Sequence, residues 1–145
     1  GVGAKGNEGV AGYVKQIGGS IGYVEYAYAL QNKMTHALVQ NKAGRYIQPN
    51  GQSFSAAAAT VDWAKAKDFY LLMTNAPGAN AWPIAATTWV VMYKSPKNAA
   101  ASTSARKFFN WSLTKGQKQA VALDYVPLPA PLVKRIQTYM AANIK

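Results

Sequence analysis

From Ile84 to Tyr93 the chain reads Ile-Ala-Ala-Thr-Thr-Trp-Val-Val-Met-Tyr, with no charge and no helix-breaking residue. A run of this length, apolar and rich in β-branched and aromatic side chains, predicts a buried strand. Directly before it, Asn75 to Pro83 gathers Asn, Gly and Pro, the composition of a break between structural units. A buried strand needs neighbouring strands and a covering layer, so these residues constrain the fold class more than any other feature.

The segments around that run alternate between helical and extended patterns. Val10, Tyr13, Val14 and Ile17 recur at helical spacing, with Asn7 as the expected cap and Gly18-Gly19 as the stop. Ser20 to Tyr26 then reads as a strand in which Gly22 allows close backbone approach. Thr35–Gln40 and Arg45–Gln48 read as two extended pieces joined by a hairpin turn at Asn41-Lys42-Ala43-Gly44, with Gly44 as its special position. Ser53 to Thr60 is alanine-rich and helix-prone behind an Asn50-Gly51 break. Phe69 to Met73 is apolar but too short to assign. Further on, Ala105, Phe108, Phe109 and Leu113 share a helix face that Lys115-Gly116 ends, and a short helix follows from Gln117 to Leu123. Pro131 suits the first turn of a last helix with Leu132, Ile136, Tyr139 and Met140 as its stripe. Helices interleaved with short strands indicate a mixed α/β chain.

Charge narrows the function classes. Sixteen Lys/Arg against five Asp/Glu give a formal net charge of +11, a field that attracts anions. The cations are spread from Lys5 to Lys145, densest at Arg106-Lys107 and Lys134-Arg135, so no basic run marks a nucleic-acid site. A solvated basic surface is the simpler reading; the alternative is a stand-alone cationic interaction module that binds polyanions or proteins. There is no cysteine, hence no disulfide framework, zinc knuckle or thiol nucleophile. No stretch approaches the ~18 continuous apolar residues of a membrane span, and no signal-peptide pattern opens the sequence.

Few residues suggest chemistry. Lys5, Gly6 and Asn7 form an anion-site candidate, because a helix N-terminus and a lysine both favour negative charge. Glu8 beside them would repel phosphate, which makes capping the plainer role. His36, the single histidine, has no carboxylate near it in sequence and reads as structural. Glu8, Glu25, Asp62, Asp68 and Asp124 are scattered, and their spacing pairs no two as acid and base; no enzyme activity, cofactor or metal site is expected. Glu25, within an apolar stretch, calls for a partner such as a Lys or a Tyr hydroxyl. Thr87 and Thr88 sit early in the run after the break, where a cleft or strand propensity alone accounts for them.

Two blocks are more distinctive: Gly3-Ala4-Lys5-Gly6-Asn7-Glu8-Gly9-Val10-Ala11, and Gly19-Ser20-Ile21-Gly22-Tyr23-Val24-Glu25-Tyr26-Ala27-Tyr28. Ala81-Trp82-Pro83-Ile84 with Thr87-Thr88, Lys107-Phe108-Phe109 with Trp111, and Leu123-Asp124-Tyr125 with Leu128-Pro129 follow in order. Together they resemble the C-terminal portion of the periplasmic phosphate-binding proteins of ABC-type phosphate importers. The resemblance implies a two-lobed receptor of the type II periplasmic fold that closes on inorganic phosphate and delivers it to a membrane permease, without chemistry on the ligand. It implies incomplete pieces of both lobes: 1–80 in one, 81–145 in the other, with the return crossing near 75–83. It also implies an exported, periplasmic protein whose phosphate ligands precede Gly1, so that no phosphate-binding residue is identifiable in this chain. Weak phosphate binding by these residues alone, and either an N-terminal companion fragment or self-association to cover the strands, are the corresponding expectations.

Overall fold

In the computed structural model, which describes residues 1–145, one buried asparagine organises the structure around it. Strands β1 (Val39–Gln40) and β2 (Tyr46–Ile47) pair antiparallel, Val39 opposite Ile47 and Gln40 opposite Tyr46. Asn41 starts the turn between them, and Gly44 takes a left-handed φ of 77° there, a conformation that glycine adopts without steric cost. The Asn41 Oδ1 accepts from the amides of Ala43 and Arg45, both at 3.1 Å. Its Nδ2 donates to the carbonyls of Gly78, Ala79 and Ala81 at 3.3, 3.0 and 3.2 Å. The hairpin is thus fastened to the Asn75–Pro83 loop, which closes on itself through Asn75 N–H to Pro83 C=O at 2.7 Å.

Helix α3 (Gly51–Ala59) follows, entered through a capping box: Ser53 N–H donates to Asn50 Oδ1 at 2.9 Å and Asn50 N–H to Ser53 Oγ at 3.1 Å. The helix buries Ala57 and Ala58, and Ala57 meets Ala76 and Ala81 in the hydrophobic core, with Val61 and Ala85 packed against it. A core of alanines brings little apolar surface out of water.

Helix α1 (Gly6–Gln16) packs against the short α2 (Tyr26–Gln31). Between them the backbone crosses the apolar face of α1 so closely that a Cβ on Gly22 would lie 2.8 Å from both Val10 Cγ1 and Val14 Cγ2, the close approach its sequence position predicts. Towards the C-terminus, α4 (Ala99–Ser112) is capped by Asn98 and ends at Leu113, and Gly116 lies in the turn that follows. The Gly116 amide returns to Trp111 C=O at 2.9 Å, and a Cβ there would meet Ser112 Cα at 2.9 Å. Helix α5 (Gln117–Ala122) and helix α6 (Ala130–Asn143, Pro131 in its first turn) complete the regular structure. The last residues are strapped down: Lys145 N–H donates to Lys94 C=O, Ser102 Oγ to Lys145 C=O, and Arg106 to Ile144 C=O.

Three sequence expectations are revised. Asn7 does not cap α1; Lys5 occupies that position and makes no side-chain cap. Residues 20–26 form no strand, and α2 begins at Tyr26. The run 84–93 forms no strand either. The hairpin is the whole of the β-structure, a two-stranded sheet, so the chain is mixed helical with few strands. The reason is geometric, since a strand is defined by its neighbour. No hydrogen bond of any kind reaches the backbone of Ile21–Val24 or Ala85–Tyr93, and Ile21, Tyr23 and Val91 are 92%, 92% and 96% exposed.

Candidate functional site

The anion-site candidate resolves into a cluster satisfied from within. Gly6 adopts φ 67° at the start of α1, and a Cβ on it would lie 2.7 Å from Glu8 Oε2. The Glu8 carboxylate therefore folds back over the first turn, where the helix dipole favours a negative group. Glu8 Oε1 accepts from Tyr28 OH at 3.2 Å, and Asn7 Oδ1 accepts from Glu25 N–H at 3.1 Å. The hydrogen bond to Glu8, and then its charge, raise the Tyr28 phenol above its ordinary pKa. Lys5 shares with Gly9, Tyr13 and Gln16 an open hollow of about 330 Å³ beside α1. Lys5, Gly6 and Asn7 thus start a helix and tether the segment before α2, with a carboxylate already occupying the place an oxyanion would take.

The other singled-out residues lie apart. His36 is exposed, with its ring edge-on to Tyr26 at 5.9 Å and its Nδ1 3.4 Å from Met34 C=O. Glu25 is exposed at the N-cap of α2 and makes no side-chain cap. Asp62 is held by Lys65 at 3.3 Å and accepts from Ala64 N–H, which lowers its pKa ahead of the lysine's effect. Asp124 accepts from Gln31 at 3.4 Å. Thr87 and Thr88 fall in the unpaired run. No three His, Cys, Asp or Glu gather where a metal could sit.

A second hollow, about 640 Å³ and open, runs between α3 and residues 121–127. Gly51, Gln52, Ser55, Tyr125, Val126 and Pro127 help to line it, and no charged side chain does. A dehydrated phosphate needs many matched donors, each unmet partner costing about 1–3 kcal/mol, and neither hollow offers them.

One polar cluster is invisible in the sequence. Asp68 accepts from Lys94 Nζ at 3.0 Å and from Tyr139 OH, Lys94 Nζ stands 5.7 Å from the Tyr139 ring centroid, and Phe69 packs edge-on against Tyr139 at 5.3 Å. Asp68 and Phe69 are both left-handed, φ 50° and 61°, so the turn is held against its local preference. Tyr139 first and Lys94 second draw the Asp68 pKa down, while Tyr139 and then Asp68 raise that of Lys94. Sequence separations of 26 and 71 residues leave no local signal for this clasp, which joins three parts of the chain.

No family model matches the chain. Curated relatives do. A phosphate-binding protein PstS of Xylella fastidiosa (strain 9a5c) is 58% identical over all 145 residues, which make up 40% of that protein. The PstS of Pasteurella multocida is 43% identical over the whole chain and 42% of its own length. From end to end, the chain resembles PstS phosphate-binding proteins. The PstS of Methanocaldococcus jannaschii is 34% identical over 92% of the chain, so the likeness extends to an archaeal PstS. The chain spans about two-fifths of the length of these PstS relatives, consistent with a C-terminal portion of PstS. No helix is long and apolar enough to cross a membrane.

Proposed function

We propose that the chain supplies the C-terminal part of the phosphate-binding component of an ABC-type phosphate importer. The observation that carries this reading is the 58% identity to a PstS protein over all 145 residues. In this reading the parent works in the periplasm, binds inorganic phosphate without transforming it, and hands it to a membrane permease. The phosphate ligands belong to segments outside these residues, in keeping with two hollows that lack a converging donor set. The parent has the two-lobed type II form, with 1–80 in one lobe, 81–145 in the other and the return crossing near 75–83. The closed Asn75–Pro83 loop, anchored by Asn41, suits a connection that must hold its shape.

A chimera tests it. The Xylella PstS with its matching region replaced by this chain is expected to bind phosphate within about tenfold of the parent protein's affinity. A folded chimera that has lost phosphate binding would contradict the reading.

A second reading rests on charge. Only Lys65 and Lys94 form ion pairs, which leaves fourteen of the sixteen Lys/Arg without one. A cationic module would bind heparin or DNA with an affinity that falls steeply as salt rises; a dispersed basic surface on a phosphate receptor gives negligible retention near physiological salt.

A further inference from the structure

The net charge of the chain is divided unequally. Residues 1–80 hold seven Lys/Arg and four Asp/Glu, a balance of +3, whereas 81–145 hold nine and one, a balance of +8. The single acid of the second part, Asp124, accepts from Gln31 at 3.4 Å and enters no ion pair. Helix α4 is linked to α6 and the residues after it through Ser102 to Lys145, Arg106 to Ile144 and Asn110 to Gln137. Away from those contacts, Lys107 of α4, Lys115 and Lys118 around the start of α5, and Lys134 and Arg135 of α6 are exposed, and none of them forms an ion pair. Lys and Arg are rarely covered unless paired, so these five charges keep to solvent whatever else a longer polypeptide packs against the chain.

Neither hollow supplies matched donors for phosphate, so any help these residues give to its capture acts at a distance, as charge does. A field of one sign enriches counter-ions at a surface and raises encounter rates by about 10- to 1,000-fold, an effect that added salt reduces steeply. We infer that helices α4 to α6 steer anionic phosphate to the receptor: Lys107, Lys115, Lys118, Lys134 and Arg135 raise the rate of capture without touching the bound ion. This deepens the proposed function and rests on it. Holding a polyanion is the poorer use of the same charges. They stand singly or in pairs on three helices, with no continuous run to follow a nucleic-acid backbone. Attraction of a small ion sums over all of them and needs no register.

The Xylella chimera tests the inference by stopped-flow binding of inorganic phosphate in sodium chloride at ionic strengths of about 0.01 M and 1 M, where charge is felt over about 30 Å and 3 Å. The association rate is expected to fall at least about fivefold between the two. Substituting Lys107→Gln, Lys115→Gln, Lys118→Gln, Lys134→Gln and Arg135→Gln together should lower the low-salt association rate about fivefold and leave the dissociation rate within about twofold. At the higher salt the two proteins should associate at the same rate. In the chain alone, an anionic nitroxide should relax the amides of these five residues at least about threefold more than a cationic one of the same size. A low-salt association rate untouched by the five substitutions, a loss that appears in dissociation instead, or equal relaxation by the two nitroxides would overturn the inference. An unchanged association rate in a chimera that binds phosphate sinks the steering alone; a folded chimera that binds none removes the proposed function and the steering built on it.

Discussion

The side-chain amide of Asn41 donates to the carbonyl of Ala81 at 3.2 Å, across forty residues of sequence. That bond ties the hairpin turn to the loop whose residues Ala76 and Ala81 complete the alanine core, so one buried polar side chain joins the hairpin, α3 and the start of the apolar run.

Asn41→Leu removes both acceptor and donor roles and leaves the amides of Ala43 and Arg45 and the carbonyls of Ala79 and Ala81 without their partner, while Gly78 C=O keeps Ala81 N–H. The expected loss is about 2–3 kcal/mol, read as a fall in denaturation midpoint with little change in slope. Asn41→Asp retains the acceptor but turns a carboxylate towards three carbonyls, and should be at least as damaging at neutral pH. A midpoint unchanged by Asn41→Leu would remove Asn41 from its central place.

The Asp68 clasp carries a pH dependence of defined sign. Tyr139 and Lys94 lower the Asp68 pKa in the folded state, so its contribution is present above the unfolded-state value, about 3.9, and is lost as pH falls through the folded value. Lys94 is raised; its contribution is present below about 10.4 and lost as pH climbs through its folded value. Carboxyl NMR titration should place Asp68 below an ordinary aspartate. Tyr139→Phe and, separately, Lys94→Met should each move it back towards the ordinary value. An Asp68 that titrates normally in the parent chain contradicts the clasp.

Glu8 and Tyr28 provide a check on the N-terminal cluster. The hydrogen bond to Glu8, and then its charge, raise the phenol; Glu8→Ala removes both, and ultraviolet titration should show Tyr28 ionising closer to its usual value near 10. Adding phosphate to the parent chain should leave the amide resonances of Lys5, Gly6 and Asn7 in place, because the carboxylate already covers the turn. Saturable shifts at those three amides would restore them as an anion site.

Much of the local structure was legible because it depends on neighbours in sequence. The period of Val10, Tyr13 and Val14 marks α1; the Asn41–Gly44 turn marks the hairpin; the Asn50-Gly51 break precedes α3, and Pro131 sits in the first turn of α6. Helix α2 was not legible, since Tyr26 ends an apparently extended stretch and only six residues form the helix. At Tyr23 and Val91 the apolar pattern of a strand is present, but strand formation depends on a partner chain segment that no local pattern supplies. The clasp between Asp68, Lys94 and Tyr139 was hidden for the converse reason: its members are unremarkable in sequence and acquire meaning only when the fold brings them together. The likeness to PstS, by contrast, lies in ordered local blocks and could be read directly, while the two hollows depend on the packing of distant segments that no local pattern reveals.

The chain resembles PstS phosphate-binding proteins along its length, and the function proposed for it places the groups that grip phosphate in other segments of a longer protein. Calorimetric titration of inorganic phosphate into the chain alone tests it most directly. Millimolar affinity or no saturable heat is the predicted result; a saturable one-to-one isotherm at micromolar phosphate would contradict it.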